Sequence, residues 1–222
     1  MKDYTFVVPA RRNSKGLPFK NRILINDTLS KIPNNFKDKI IIATDDEFIK
    51  QNYSDYNIFH RSDAVSLDKA STKSLFEEMK PHITTNEIVM LYTTYPERNF
   101  KDVLSAISFY ERHSATSLLC SKKINLSPYL MMIKDGIGGK QVIKHNLYRR
   151  QDYPECFEIS HYISIFNKNI IHNLNNNLYN KDTVYFSIDE TIDVDTEKDL
   201  KNYNEKNKNN RWNRNKPQWL SR

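Results

Sequence analysis

A cluster of positive charges follows the first apolar segment of the chain. Residues 9–21 read Pro-Ala-Arg-Arg-Asn-Ser-Lys-Gly-Leu-Pro-Phe-Lys-Asn, with a single glycine, Gly16. Four residues of this segment are cations: Arg11, Arg12, Lys15 and Lys20. Glycine lets backbone N–H groups approach a ligand, and Lys and Arg supply positive charge, so the segment suits a triphosphate. The spacing of a Walker P-loop is absent. The segment predicts a phosphate-binding loop, with an exposed basic turn as the alternative.

Two acidic residues near the other end of the chain have a spacing that suits a metal ion. Asp193 and Asp195 are separated by one residue. In an extended segment such side chains point to one face, so both carboxylates can reach one hard cation such as Mg²⁺. The alternative is an acidic loop before a helix that Thr196 caps. By itself the pair is therefore a weak signal.

The elements that position these residues alternate between strand and helix. Short apolar runs at residues 4–9, 40–44 and 87–94 read as buried parallel strands. Further strands are predicted at 57–60, 117–121, 162–166 and 183–188, and helices at 71–83, 100–113, 168–174 and from 197. In the first crossover, residues 27–38, Pro33 predicts a reduced helix. Parallel strands need such crossovers, and ligands bind beyond their carboxyl ends. The loops after Pro9, Thr44 and Thr94 are therefore expected to hold the chemistry.

Residues 124–158 interrupt this alternation. Two apolar pieces, 129–133 and 141–143, flank a glycine-rich turn at 135–139, which predicts a hairpin. Such an excursion from an α/β core packs on a second copy of the chain or covers the site as a flap. We expect a homodimer. The predicted organisation is one domain over residues 1–200, with this excursion, followed by a tail over 201–222.

The net charge of +7 is concentrated in that tail. Residues 201–222 hold seven Lys or Arg residues against one acid, Glu205, so the rest of the chain carries about +1. A nucleic-acid binder needs a basic face on its folded body, which argues against that class. The tail, which contains Trp212 and Trp219, is expected to be peripheral.

The cysteines and the hydropathy of the sequence indicate the cellular compartment. Cys120 and Cys156 have no partner at metal-ligand spacing and suggest no disulfide framework. The sequence shows no leader pattern at Met1 and no run near the roughly 18 apolar residues that span a bilayer. We expect a cytoplasmic protein without a membrane partner.

The basic segment resembles a known signature. Residues 10–21 match Ala-Arg-x-x-Ser-Lys-Gly-x-Pro-x-Lys-Asn, which is similar to the nucleotide-binding motif of the CMP-sialic acid and CMP-Kdo synthetases. Five further blocks resemble that family in the same order: 43–46, 61–72, 92–98, 150–154 and 192–200. The resemblance implies a mainly parallel, Rossmann-like nucleotidyltransferase α/β sheet with helices on both faces and a small hairpin excursion.

The same resemblance implies a function and its residues. The family transfers CMP from CTP to an acidic sugar with release of pyrophosphate, in cell-surface polysaccharide biosynthesis, and the acceptor implied here is a sialic-acid-like nonulosonate. The implied catalytic residues are Lys20, Arg11 and Asp193. The implied nucleotide-binding residues are Arg11, Ser14, Lys15, Lys20, Asn21, Arg61, Ala70 and Thr72. The implied acceptor-binding residues are Arg150, Tyr92 and Gln151, and the implied Mg²⁺ ligands are Asp193 and Asp195.

Departures from the family pattern cluster on the acceptor side. Tyr92 stands where the family has Gln, and residues 158–161 read Glu-Ile-Ser-His in place of Arg-Pro-Asn-Gly. His161 is expected to have an acceptor-pocket or packing role. Two alternatives therefore stay open: a Kdo-like or phosphonate acceptor, or a degenerate nucleotide-binding module without turnover. Retention of Lys20 and the acid pair argues against the second.

Overall fold

The computed structural model describes residues 2–189 and 191–206. The predicted tail begins within this range, because the last helix continues to Lys206 and crosses the predicted boundary at residue 200. Trp212, Trp219 and the basic residues after 206 lie outside the described residues.

Nine strands are present among the described residues, and seven of them form one sheet. The strands are β1 Tyr4–Pro9, β2 Ile40–Thr44, β3 Asn57–His60, β4 Glu87–Met90, β5 Ser117–Lys123, β6 Met132–Asp135, β7 Gly138–Gln141, β8 Phe157–Asn167 and β9 Val184–Ser187. The order in the large sheet is β3-β2-β1-β4-β8-β5-β9. Only β8 runs antiparallel to its neighbours in this sheet, β4 and β5. The predicted mainly parallel α/β sheet is confirmed.

Six α-helices connect these strands within the described residues. They are α1 Lys20–Leu29, α2 Glu47–Asn52, α3 Asp63–Ser66, α4 Thr72–Met79, α5 Phe100–Arg112 and α6 Glu197–Lys206. The sequence did not predict α2 or α3, which are short. The predicted start of the first crossover, at residue 27, is also too late. Helix α1 begins at Lys20, inside the predicted phosphate loop. The predicted helix at 168–174 is a 3₁₀ helix, Lys168–Asn173.

Helices cover both faces of the sheet, as predicted. Successive strand residues point to opposite faces. Phe6 and Val8 of β1 pack with residues of α1 and α5, whereas Val7 packs with residues of α4. Asp46, Ser71 and Asn99 cap the N-termini of α2, α4 and α5 through their side chains, which satisfies backbone N–H groups that have no partner inside the helix.

The predicted hairpin is the pair β6 and β7, which forms a separate two-stranded sheet. All residues of both strands are exposed, including Met132 and Ile133. A two-stranded hairpin is marginally stable in water by itself. A search of the described residues found no helix with the length and hydropathy needed to cross a bilayer.

Candidate active site

A cleft of about 320 Å³ lies at the carboxyl ends of the central strands. Nine of the residues singled out from the sequence line it: Arg11, Lys20, Asn21, Arg61, Ala70, Thr72, Tyr92, Asp193 and Asp195. They come from segments far apart in the chain, so the fold brings them together. The loops after Pro9 and Thr94 contribute as expected. Asp46, after β2, is not among the lining residues; it pairs with Arg22 at 2.6 Å and caps α2.

Four other residues singled out from the sequence do not line the cleft. Lys15 lies next to it, 3.2 Å from the Asp68 carboxylate, and Ser14 is the residue before Lys15 in the same loop. Arg150 and Gln151 form part of an exposed 3₁₀ turn in the excursion. The structure therefore gathers six of the eight implied nucleotide-binding residues and both implied metal ligands in the cleft, and leaves Arg150 and Gln151 outside it.

The phosphate loop ends in a left-handed residue, Phe19, with φ 53°. This turn makes Lys20 the first residue of α1, where the helix dipole adds positive character. The Lys20 ammonium forms an ion pair with the Asp195 carboxylate. One residue later, the Asn21 amide donates to the Arg11 carbonyl at 2.7 Å and accepts from the Thr93 hydroxyl at 2.5 Å. Asn21 thus fastens the loop to the end of β4.

Gly16 sets the distance between the phosphate loop and the acid pair. A Cβ atom at this position would lie 2.3 Å from the Asp195 carbonyl oxygen. The acid segment is fixed from its other side, because the Val194 N–H donates to the Thr94 carbonyl at 2.8 Å and Val194 is buried against Leu17. The loop and the acid pair are therefore in direct backbone contact.

The acid pair meets the chemical requirements of a magnesium site. Asp193 and Asp195 both line the cleft, and Asp193 accepts hydrogen bonds from Thr94 and Tyr95. Burial raises the pKa of Asp193, and the neighbouring Asp195 carboxylate raises it further. A divalent cation would offset that repulsion. Mg²⁺ binds through one or two carboxylates and keeps several waters, so two oxygen donors are sufficient.

Asp68 is a cleft residue that the sequence analysis did not single out. It lies 2.9 Å from Arg11 and bridges to Lys15. The hydrogen bond from Lys15 and the nearby cations lower the pKa of Asp68. The sequence could have indicated Asp68, because this residue lies inside the block 61–72 that resembles the family.

Arg61 lies at the end of β3 and reaches into the same cleft. Its guanidinium donates to the Val65 carbonyl in α3. Its Nε atom is buried without a hydrogen-bond partner among the described residues. Burial lowers the pKa of this group. A buried donor that lacks a partner is a candidate contact for a bound ligand.

Aromatic residues line the half of the cleft above β4 and β8. The Tyr92 and Thr72 hydroxyls form a hydrogen bond of 2.5 Å. The Tyr92 ring meets the His161 ring edge to face, with centroids 5.7 Å apart. Burial raises the pKa of Tyr92 and lowers that of His161, which favours neutral forms of both. His161 therefore lines the cleft, and its expected acceptor-pocket or packing role stays a prediction.

Arg98 is a buried residue that holds the backbone of this aromatic half through hydrogen bonds. It donates to the Tyr162 carbonyl at 2.6 Å and to the Tyr92 carbonyl. Burial lowers its pKa to about 10. The sequence placed Arg98 in a matched block without a role. The structure shows that it holds the backbone of the segment that carries Tyr92.

Comparisons with known proteins show what this chain is similar to in sequence and in fold. No family model matches the chain. It is 26% identical over 176 residues to the N-acylneuraminate cytidylyltransferase of Streptococcus agalactiae serotype V, covering 73% of this chain and 43% of that protein. This chain thus spans less than half the length of the curated relatives it matches.

Two solved structures show the same fold. The CMP:2-keto-3-deoxy-manno-octonic acid synthetase complexed with CTP has a TM-score of 0.65 at 13% identity, over 90% of this chain and 96% of that one. The 4-diphosphocytidyl-2C-methyl-D-erythritol synthase of Anaerococcus prevotii has a TM-score of 0.59 at 14% identity, over 92% and 98%.

The fold is therefore the nucleotidyltransferase fold that these cytidylyltransferases share. The predicted resemblance to the CMP-sugar-acid synthetases is confirmed, since the curated relative and the first of the two structures both carry names from that group. These names also support the predicted nucleotidyltransferase enzyme.

Proposed function

We propose that this chain is a cytidylyltransferase that transfers CMP from CTP to an acidic sugar and releases pyrophosphate. The observation that carries the proposal is the position of the phosphate loop against the acid pair. Lys20 and Asp195 form an ion pair across 175 residues of chain, inside one cleft. Nucleotidyl transfer needs this combination, because phosphate charge must be offset where the metal carboxylates bind.

Each side of the cleft has a part in this reaction. Arg11, Lys15 and Lys20 offset charge on the phosphates. Arg61 offers its unpartnered Nε, and Ala70 and Thr72 line the same region, where the cytidine would bind. Asp193 and Asp195 would hold Mg²⁺, which when bound supplies Lewis-acid stabilisation of phosphate charge.

The proposed step balances as an in-line displacement. The acceptor hydroxyl oxygen forms a bond to the α-phosphorus of CTP. The bond from that phosphorus to the bridging oxygen of the β-phosphate breaks, and pyrophosphate leaves with the electron pair. The Asp193 carboxylate, which lines the cleft, accepts the hydroxyl proton.

We also propose that the protein works as a homodimer in the cytoplasm. The excursion exposes Met132, Ile133 and Ile137, and exposed apolar groups of this kind are typical of contact surfaces. A second copy packed on this hairpin would cover them. Cys120 and Cys156 are both free thiols, which suits a reducing compartment.

The decisive test is the nucleotide dependence of pyrophosphate release. With an acidic sugar and Mg²⁺, release should require CTP, should fail with ATP or GTP, and should stop on addition of a chelator. Similar release with all nucleotides would refute the cytidine assignment. Tight CTP binding without release, for any acidic sugar tested, would show a nucleotide-binding module instead.

A further inference from the structure

The aromatic half of the cleft depends on an irregular strand. In the pairing of β5 with β8, Leu118 lies opposite Ile165 and Cys120 lies opposite Ser160. Two residues along β5 therefore correspond to five residues along β8. The extra residues of β8 form a bulge. Bulges re-aim side chains and are frequent beside active sites. Here the bulge contains His161, which lines the cleft against Tyr92.

Tyr92 and His161 lie on the side of the cleft toward β8, where the Tyr92 hydroxyl borders Thr72 of the nucleotide residues. Arg11, Lys20 and Arg61 are the cations that line the cleft within the described chain. They come from the loop after β1, from α1 and from the end of β3. In the sheet order, β8 lies on the far side of β4 from these elements. The half above β4 and β8 is thus the space for the acceptor.

Hydrogen-bonding groups in this half are already engaged. The Tyr92 hydroxyl is bonded to Thr72, and the Tyr95 hydroxyl accepts from Ser160 at 3.3 Å and donates to Asp193. In His161, Nδ1 is bonded to the Ser164 hydroxyl at 3.1 Å. Its Nε2 has no hydrogen-bond partner among the described residues. The wall therefore offers few free polar atoms to an acceptor.

We propose that Tyr92 and His161 form one wall that restricts the acceptor to a compact keto sugar acid and excludes acids with a long polar side chain. A polar side chain placed against this wall would lose its hydrogen bonds to water without replacing them, which is costly. The rings of Tyr92 and His161 are neutral, so the wall offers no positive charge to an acceptor with more than one anionic group. This inference rests on the proposed cytidylyltransferase function.

The two residues act together because their rings are in contact. Removing one ring leaves the other still in the cleft, so the single variants should have small effects. Removing both should open the wall. Residues in contact of this kind give effects that are not additive.

The test measures kcat/KM for two acids with saturating CTP. One is the compact 2-keto-3-deoxy-manno-octonic acid, and the other is N-acetylneuraminate, which carries an acylamino group and a longer polar side chain. We expect the unaltered protein to favour the octonic acid by at least about tenfold. In Tyr92→Gln with His161→Gly, selectivity should move toward the larger acid by at least about tenfold, and by more than the product of the single variants. The KM for CTP should change by less than the selectivity, because only the Tyr92–Thr72 hydrogen bond joins this wall to the nucleotide residues.

The controls use residues of the same types away from the cleft. Tyr185→Gln and His113→Gly change exposed side chains and should leave selectivity unaltered. If the double variant does not fold, the gentler pair Tyr92→Leu with His161→Ala also removes both rings and tests the same wall.

The outcomes separate this inference from the function on which it rests. Preference of the unaltered protein for N-acetylneuraminate, or unchanged selectivity in the folded double variant, would overturn the wall and leave the proposed function intact. If neither acid supports CTP-dependent pyrophosphate release, the proposed function and this inference both fail.

Discussion

The phosphate loop and the hairpin excursion differ in how far contacts with the rest of the chain hold them in place. The loop is held from within: Asn21 bonds the Arg11 carbonyl and the Thr93 hydroxyl, and Gly16 touches the backbone of Asp195. The excursion is exposed along both strands, and Arg150 stands in its outer 3₁₀ turn. Contacts within the chain thus fix the loop side of the cleft, whereas the described part of the chain brings no residue of the excursion into the cleft.

The largest effect is expected at the ion pair that joins the loop to the acid pair. Lys20→Ala or Asp195→Ala should lower kcat by about 10²–10³-fold, because each group acts on transition-state charge. Pyrophosphate release measures this. Lys50→Ala, which removes an exposed pair with Glu47, is the matched control and should leave the rate unchanged. Near-normal turnover in either variant would remove that residue from the site.

The next effect tests the backbone contact of Gly16. A methyl group there would be 2.3 Å from the Asp195 carbonyl oxygen, so Gly16→Ala should push the loop and the acid pair apart. A displacement of about 1 Å can cost about 10²-fold in rate. Gly138→Ala is the control, because its Cβ would lie 3.6 Å from the nearest atom, in ordinary contact. Equal activity of both variants would show that the contact has no catalytic role.

A smaller effect tests the excursion. If a second copy brings Arg150 over the cleft, Arg150→Ala should raise the acceptor KM by about tenfold and leave the KM for CTP unaltered. Arg149→Ala is the neighbouring control, since Arg149 pairs with Asp152 at 2.9 Å. Sedimentation velocity would show whether either variant changes the oligomeric state. An unchanged acceptor KM would place Arg150 outside the site in the dimer as well.

The smallest effect concerns stability and pH. The folded-state pKa of Asp193 is raised by burial, so the folded protein binds this proton more tightly than the unfolded chain. Stability from this group is present below the unfolded value near 3.8 and is lost as pH rises through the folded pKa. Asp193→Asn should therefore flatten that loss and give a slightly higher melting temperature at neutral pH.

Thermal melts across this pH range would measure the effect. Asp195→Asn is the control for charge removal at the neighbouring carboxylate of the pair. A lower melting temperature for Asp193→Asn at neutral pH would contradict the raised folded-state pKa of Asp193.

Much of the fold followed from local pattern. The strands β1, β2 and β3 begin and end at the residues predicted from their apolar runs. Helix α5 differs by one residue from its prediction. These elements have strong periodicity, which acts over a few neighbouring residues. The short helices α2 and α3 were missed because four to six residues give no clear period.

The sequence by itself determined the elements, the cations of the phosphate loop and the acid pair, because residue type, spacing and a collinear resemblance are properties of the chain. Only the tertiary structure decided which of them meet. It joined Lys20 to Asp195, placed Asp68 between Arg11 and Lys15, and left Arg150 outside the cleft. The strand irregularity that brings His161 to Tyr92 depends on the pairing of β8 with β5, whose paired residues lie 34 or more residues earlier in the chain, the smallest separation being that from Lys123 to Phe157. Contacts between distant segments depend on how the sheet is assembled, and no local pattern encodes them.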